Sequence, residues 1–174
     1  TRYGNVMGSR GSVIPLFKNQ IDADKPITIT NPNMTRFLMT LEESVELVLY
    51  AFKYGKPGDI FVKKSPATSI NILAKAISTI LKSDSKPKII GTRHGEKNYE
   101  TLISREESLR LKDLKSFYKI SNDNRDLNYS LYFSKGKKQK KEFEYNSENT
   151  KQLSCNEVIK LLNSKKILKG QFDA

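Results

Sequence analysis

The chain has 174 residues, 37% of them hydrophobic, with 31 Lys and Arg against 19 Asp and Glu for a formal net charge of +12. That length suits one domain with a thin core, and the single cysteine, Cys155, excludes an internal disulfide and fits a reducing compartment. No apolar run approaches the length of a membrane span, so no membrane partner is expected and a cytoplasmic protein is.

The chain opens TRYGNV with no initiator methionine, and the alternation reads as a short strand. SVIPLFKNQI follows as a helix that tolerates Pro15 in its first turn. KPITIT is β-branched and alternating, hence a strand; NPNM is turn chemistry, and RFLM is a second short extended piece. In TLEESVELVLYAFKYG, Leu41, Val45, Val48, Leu49 and Phe52 form one apolar stripe at helical spacing. Thr40 and Glu43 supply a capping box there, and Gly55 a stop.

DIFVK predicts a strand, and TSINILAKAISTILK a second amphipathic helix through Ile70, Leu73, Ala74, Ile77, Ile80 and Leu81. KPKIIG is a strand running into GTRHGEK. Ser104 and Glu107 make a capping box for a short helix, and FYKIS is a weak final strand. From about Asn122 the chain turns polar and poor in aliphatic residues, which predicts an extended tail outside the core. Within it lies KGKKQKK (Lys135, Lys137, Lys138, Lys140, Lys141), read as a solvated lysine loop in preference to a patch for an anionic partner. It lacks the aromatic or glycine-loop pattern of an RNA-binding module, and nucleic acid is disfavoured as a partner. A last helix is capped by Ser154 and Glu157 and carries Val158, Ile159, Leu161 and Leu162.

Strands alternating with helices predict an α/β fold. The parts such enzymes use for chemistry are absent from these residues. There is no G-x-G-x-x-G, the nearest stretch being GSRG at Gly8 to Gly11, and none of the eight tyrosines has a lysine four positions on. One histidine, His94, and one cysteine make no metal site. No catalytic, cofactor-binding or metal-binding residue is therefore assigned. Arg36 follows a turn and Arg93 sits in a glycine-bracketed loop; a guanidinium donates two parallel hydrogen bonds and suits a diphosphate. Glu96, three residues on, suits a ribose hydroxyl. Taken singly, each arginine reads more readily as a surface ion pair, and Asn5 equally as the cap of a turn.

Taken together, RYGNVMGSRGSVIPLF, PITITNPNMTRFLMTLEESVELVLYAF, GDIFVKK and IIGTRHGEKNYE resemble one family. They are similar to the C-terminal half of the extended short-chain dehydrogenases that modify nucleotide sugars. The branch is that of UDP-glucose 4-epimerase and UDP-N-acetylglucosamine 4,6-dehydratase/5-epimerase, enzymes of capsule and O-antigen synthesis. NRDLNYSLYF and EYNSENT resemble the end of that branch. The resemblance implies a Rossmann-type α/β fold, with residues 1–120 as the UDP-sugar-binding portion, including the last strands of the nucleotide-binding sheet. Residues 121–174 form the extended tail with its terminal helix.

It also implies that the nucleotide-binding glycines, the NAD or NADP site and the catalytic Tyr-Lys pair lie upstream of Thr1. Asn5 would touch the diphosphate or sugar, and Val13, Ile14 and Pro15 would wall the uracil. Arg36 and Arg93 would clamp the diphosphate, Glu96 would hold the ribose, and Ser9 and Arg10 would lie towards the sugar. The chain then reads as the substrate half of a UDP-sugar 4-epimerase, inactive alone, with its own N-terminal half as a partner and a homo-oligomer as the parent state. A 4,6-dehydratase/5-epimerase is the alternative within the family; a basic nucleic-acid module or an inert relic of a split gene are the alternatives outside it. Glu148, where many relatives carry histidine, and the divergent LSCNEV depart from the family pattern.

Overall fold

The computed structural model describes residues 1–122 and 142–169. NRDLNYSLYF and KGKKQKK lie outside the described residues. In chain order the elements are α1 (Val13–Asp22), β1 (Thr28–Ile29), β2 (Thr35–Phe37), α2 (Leu41–Tyr54), β3 (Ile60–Lys63), β4 (Ala67–Ser69) and α3 (Ile70–Leu81). There follow β5 (Lys88–Ile89), β6 (Thr101–Ile103), α4 (Arg105–Ser108), β7 (Leu111–Asp113), β8 (Phe117–Ile120), β9 (Tyr145–Asn146), α5 (Cys155–Ser164) and a 3-10 turn at Ile167–Lys169. The expected α/β class is what is found.

The strands pair in small groups. β1 runs parallel to β5, β2 antiparallel to β4, and β6 antiparallel to β9, while β3, β8 and β7 form a three-stranded antiparallel sheet. TRYGNV is not a strand, contrary to expectation. It makes two single parallel bridges, Arg2 to Val62 and Val6 to Met39, because it leaves one partner for another within four residues. Gly4 lies at the crossing, where a Cβ would come within 2.4 Å of Phe37 Cβ. KPITIT and KPKIIG shrink to two paired residues each, and β4, β6, β7 and β9 are strands that the pattern did not announce.

All three predicted capping boxes form, Thr40 with Glu43, Ser104 with Glu107 and Ser154 with Glu157. They fix the starts of α2, α4 and α5 by pairing otherwise orphaned N–H groups. Gly55 does end α2, but with φ −79°, so the chain leaves in an extended conformation and without a left-handed cap. The apolar stripe of α2 is the larger surprise. Leu41, Val45, Leu49 and Phe52 are 64%, 50%, 63% and 84% exposed, while the opposite face buries Ser44 and Leu47. Leu47 packs with Phe61 and Phe117 beneath the helix, flanked by Tyr50 and Ala51.

Two larger cores lie elsewhere. In the first, Phe17 of α1, Ile29 of β1, Leu73, Ala74 and Ile77 of α3, and Val158 and Leu162 of α5 pack together. Each fully buried side chain of this kind contributes about 1.5–3 kcal/mol. In the second, Phe37, Val62, Ala67, Ile103, Ile120 and Tyr145 join the strands. The polar stretch after residue 141 is extended but not outside the core: Tyr145, Asn146, Ser147 and Leu153 are buried.

Candidate functional site

Parallel pairing of β1 with β5, Thr28 opposite Lys88 and Ile29 opposite Ile89, sends both chains out at the same end. Crevices beyond the carboxyl ends of parallel strands are where α/β proteins bind ligands. Here Thr30 leaves β1 and the segment 90–98 leaves β5, tied at its root by the Ile90 N–H donating to Ile29 O at 2.8 Å. The N-terminal turn of α1 and the face of β2 complete a pocket of about 290 Å³. That is the lower end of the range for small-molecule sites, about 300–1,000 Å³.

The loop is built by short-range turn chemistry. Glu96 N–H donates to Arg93 O at 3.1 Å, and Gly95, at φ +77°, takes the left-handed position that this turn requires. Glu96 then uses both carboxylate oxygens. Oε2 accepts from the Arg93 N–H at 3.2 Å, and Oε1 accepts from Thr30 Oγ1 at 2.9 Å, which fastens the loop to the end of β1. Arg36, on β2, holds the far end. Its Nη2 donates to Lys97 O at 2.8 Å and its Nη1 to Thr35 O at 2.8 Å and Asn98 O at 3.3 Å, while Nε lies 3.7 Å from Glu100 Oε1. The Thr35 N–H also donates to Asn98 O, at 2.9 Å.

Of the expected site residues, Asn5, Val13, Ile14, Arg36, Arg93 and Glu96 all line this one pocket. Pro15 is buried in the first turn of α1 but does not line it, and Ser9 and Arg10 are exposed beside it in the turn before α1. Arg93 is exposed, and its side chain makes no hydrogen bond or ion pair with the described residues. The sequence reading missed Ser12, Thr30 and Met34, which also line the pocket. Ser12 is the N-cap of α1, and its hydroxyl, buried, has no hydrogen-bond partner among the described residues. A serine directly before a helix start was the available signal. Thr30 carried none, since its role depends on meeting a glutamate 66 positions away.

The polar tail reaches this site from behind. Ser147 Oγ accepts the Glu100 N–H at 3.0 Å and donates to Thr35 O at 3.1 Å, so it steadies both neighbours of the Arg36 guanidinium. Among the described residues no group of three His, Cys, Asp or Glu is placed to hold a metal ion, and no helix is long and apolar enough to cross a membrane.

Residues 1–122 match the family described as "Polysaccharide biosynthesis protein", and residues 123–169 match its C-terminal counterpart, "Polysaccharide biosynthesis protein C-terminal". The chain belongs to the polysaccharide biosynthesis protein family. It is 60% identical over 163 residues to a UDP-glucose 4-epimerase of Rickettsia felis, covering 93% of this chain and 48% of that protein. The same figures hold for a UDP-glucose 4-epimerase of Rickettsia bellii. The solved structure of Pen from Bacillus thuringiensis superposes with a TM-score of 0.79 at 35% identity, over 94% of this chain and 48% of that one. The chain thus spans about half the length of the curated relatives it matches. The family resemblance carried by MTRFLMTLEE and GTRHGEK is borne out.

Proposed function

We propose that the pocket holds the UDP portion of a nucleotide sugar and that the full-length protein is a UDP-glucose 4-epimerase serving polysaccharide synthesis. The observation that carries this reading is the convergence of Arg36, Arg93, Glu96 and Asn5, brought from three separate segments, on one partly apolar pocket. Arg36 and Arg93 supply the positive field that a diphosphate needs. Glu96 keeps acceptor capacity for a ribose hydroxyl, since a carboxylate has about four lone-pair sites and two are occupied. Val13 and Ile14 offer an apolar wall for a flat base. The curated relatives named UDP-glucose 4-epimerase support the choice of substrate class.

Epimerisation at C4 needs a base to take the hydroxyl proton and a hydride acceptor, and a nicotinamide cofactor supplies the latter when bound. The described residues do not fit such a cofactor. GSRG at Gly8 to Gly11 leads into α1 with no dinucleotide glycine pattern, and the chain contains no Tyr-x-x-x-Lys. This chain therefore contributes substrate binding, and proton and hydride transfer belong to other residues of the full-length protein. The partner implied is a UDP-sugar; the N-terminal part of the full-length protein would supply the site for the cofactor.

Calorimetric titration with UDP, UDP-glucose and UDP-N-acetylglucosamine tests the reading. UDP should bind, and Arg93→Ala should weaken it about tenfold or more, the scale of a lost charge-assisted hydrogen bond. A folded chain that takes up none of the three ligands overturns the proposal.

A further inference from the structure

The helix α2 carries more apolar surface than its own sheet covers. At about 100° per residue, its apolar side chains run from Leu47 and Ala51 through Val48 to Phe52, Val45 and Leu49, an arc of about 200°. A helix lying on one neighbour needs a stripe only somewhat over about 100° wide. Ser44 alone interrupts the arc, and its hydroxyl is spent on Leu41 O at 2.7 Å. Leu47 and Ala51 meet Phe61 and Phe117 of the sheet beneath, whereas Leu41, Val45, Leu49 and Phe52 are left exposed. The charged side chains keep to the remaining side, where Glu46 is tied to Lys63 Nζ at 3.0 Å.

The uncovered surface has a counterpart on the sheet. Arg2 sits opposite Val62 in a parallel bridge, so these two share a face and Tyr3 falls on the other, the face of Phe61 and α2. Tyr3 is exposed there, although the Arg2 N–H beside it pairs with Phe61 O at 2.8 Å.

We propose that α2 is a two-sided helix whose open side, Leu41, Val45, Leu49 and Phe52, seats the N-terminal half of the full-length protein. Residues 123–169 match the family's C-terminal model, and this chain spans 48% of the Rickettsia felis relative, so a comparable length of chain would lead into Thr1. It would arrive at Tyr3, on the side of the sheet that carries α2. A second copy of this chain fits less well, because four part-exposed side chains offer less than the about 800 Å² per partner of a standard interface. A covalently joined neighbour needs no such area, since its effective concentration is already high. The seat is separate from the pocket, which none of these four residues lines.

Thiol labelling of this chain and of the full-length Rickettsia felis relative tests the seat. In a Cys155→Ser background, Leu49→Cys in this chain should react with a maleimide as fast as Lys53→Cys. In the full-length relative, a single cysteine at the position aligned with Leu49 should react at least about tenfold more slowly than one aligned with Lys53, because labelling there waits for local opening. That protection should be the same at every protein concentration. Equal rates at the two positions of the full-length protein overturn the proposal. Protection that fades on dilution overturns it too, since it would put a second copy on the face. Slow labelling of Leu49→Cys in this chain by itself would show that the chain covers its own helix, and would likewise overturn it. None of these outcomes depends on what the pocket binds.

Discussion

Ser147 and Thr35, 112 residues apart in the chain, share a hydroxyl pair at 2.7 Å with Ser147 wholly buried. The Thr35 hydroxyl donates to Ser147 Oγ, which also accepts the Glu100 N–H and donates onward to Thr35 O. One oxygen therefore joins β2, the segment that follows the pocket loop, and the polar tail. Arg36 and Glu100, next to these groups, inherit their placement from it.

Removing that oxygen by Ser147→Ala leaves the Glu100 N–H and the Thr35 hydroxyl without their buried partner. The expected cost is about 1–3 kcal/mol, the penalty for stranding buried polar groups, measured by urea denaturation. A cost below about 0.5 kcal/mol, the level of a neutral surface change, would mean that the junction does not hold β2 to the tail.

What the sequence announced and what it hid divide along the range of the interactions. Capping boxes are three residues long, so Thr40, Ser104 and Ser154 revealed where their helices begin. Arg36, Arg93, Glu96 and Asn5 were legible through motif resemblance. That Lys97 O, Asn98 O and Glu100 occupy Arg36 was not, because a backbone carbonyl has no sequence signature. The β6–β9 pairing, Thr101 with Asn146, closes over more than forty residues and leaves no local trace. In α2 the periodicity located a helix correctly, but the stripe it marked lies largely exposed in this chain, since a stripe does not say which side meets a neighbour.

The two faces of α2 make the second prediction. Leu47 is fully buried against Phe61 and Phe117, so Leu47→Ala should destabilise the chain by about 2–5 kcal/mol. Leu49→Gln, two residues on but 63% exposed, should change stability by no more than about 0.5 kcal/mol. Paired denaturation curves check this. A larger loss at Leu49 than at Leu47 would reverse the orientation of the helix.

Acid should loosen the start of the chain. Arg2 meets Glu107 through two hydrogen bonds, Nη1 to Oε2 at 2.7 Å and Nη2 to Oε1 at 2.9 Å, and Nη1 also donates to Leu102 O at 2.8 Å. The guanidinium holds the Glu107 carboxyl below its ordinary range, against the opposing effect of burial. An unfolded glutamate titrates near 4.3, so above about that pH both states are ionised and the contribution is full. As pH falls below it, the unfolded chain takes the proton first, and stability drops until the folded carboxyl is protonated too. Denaturation midpoints of the parent and Glu107→Gln should therefore converge between about pH 5 and about pH 3. A gap that stays constant with pH would show that the bridge does not titrate.

Base should act at Tyr145 with the opposite sign of slope. Its hydroxyl accepts the buried Ser65 N–H at 3.0 Å and donates to Ser65 O at 3.1 Å, while its ring lies 5.4 Å from that of Phe37. Burial raises its pKa above the ordinary tyrosine value, and burial does the same to the neighbouring Tyr118. Above about pH 10 the unfolded chain loses these protons while the folded chain retains them, so stability falls as pH rises. Tyr145→Phe removes the hydroxyl and leaves the Ser65 N–H unpaired, whereas Ser65 O keeps the Thr150 hydroxyl at 2.9 Å. It should cost about 1–3 kcal/mol at neutral pH. It should also flatten the alkaline fall without abolishing it, because Tyr118 still titrates. Denaturation of both proteins across about pH 8 to about pH 11 would read both effects, and an alkaline slope identical in the two would assign the loss to Tyr118 alone.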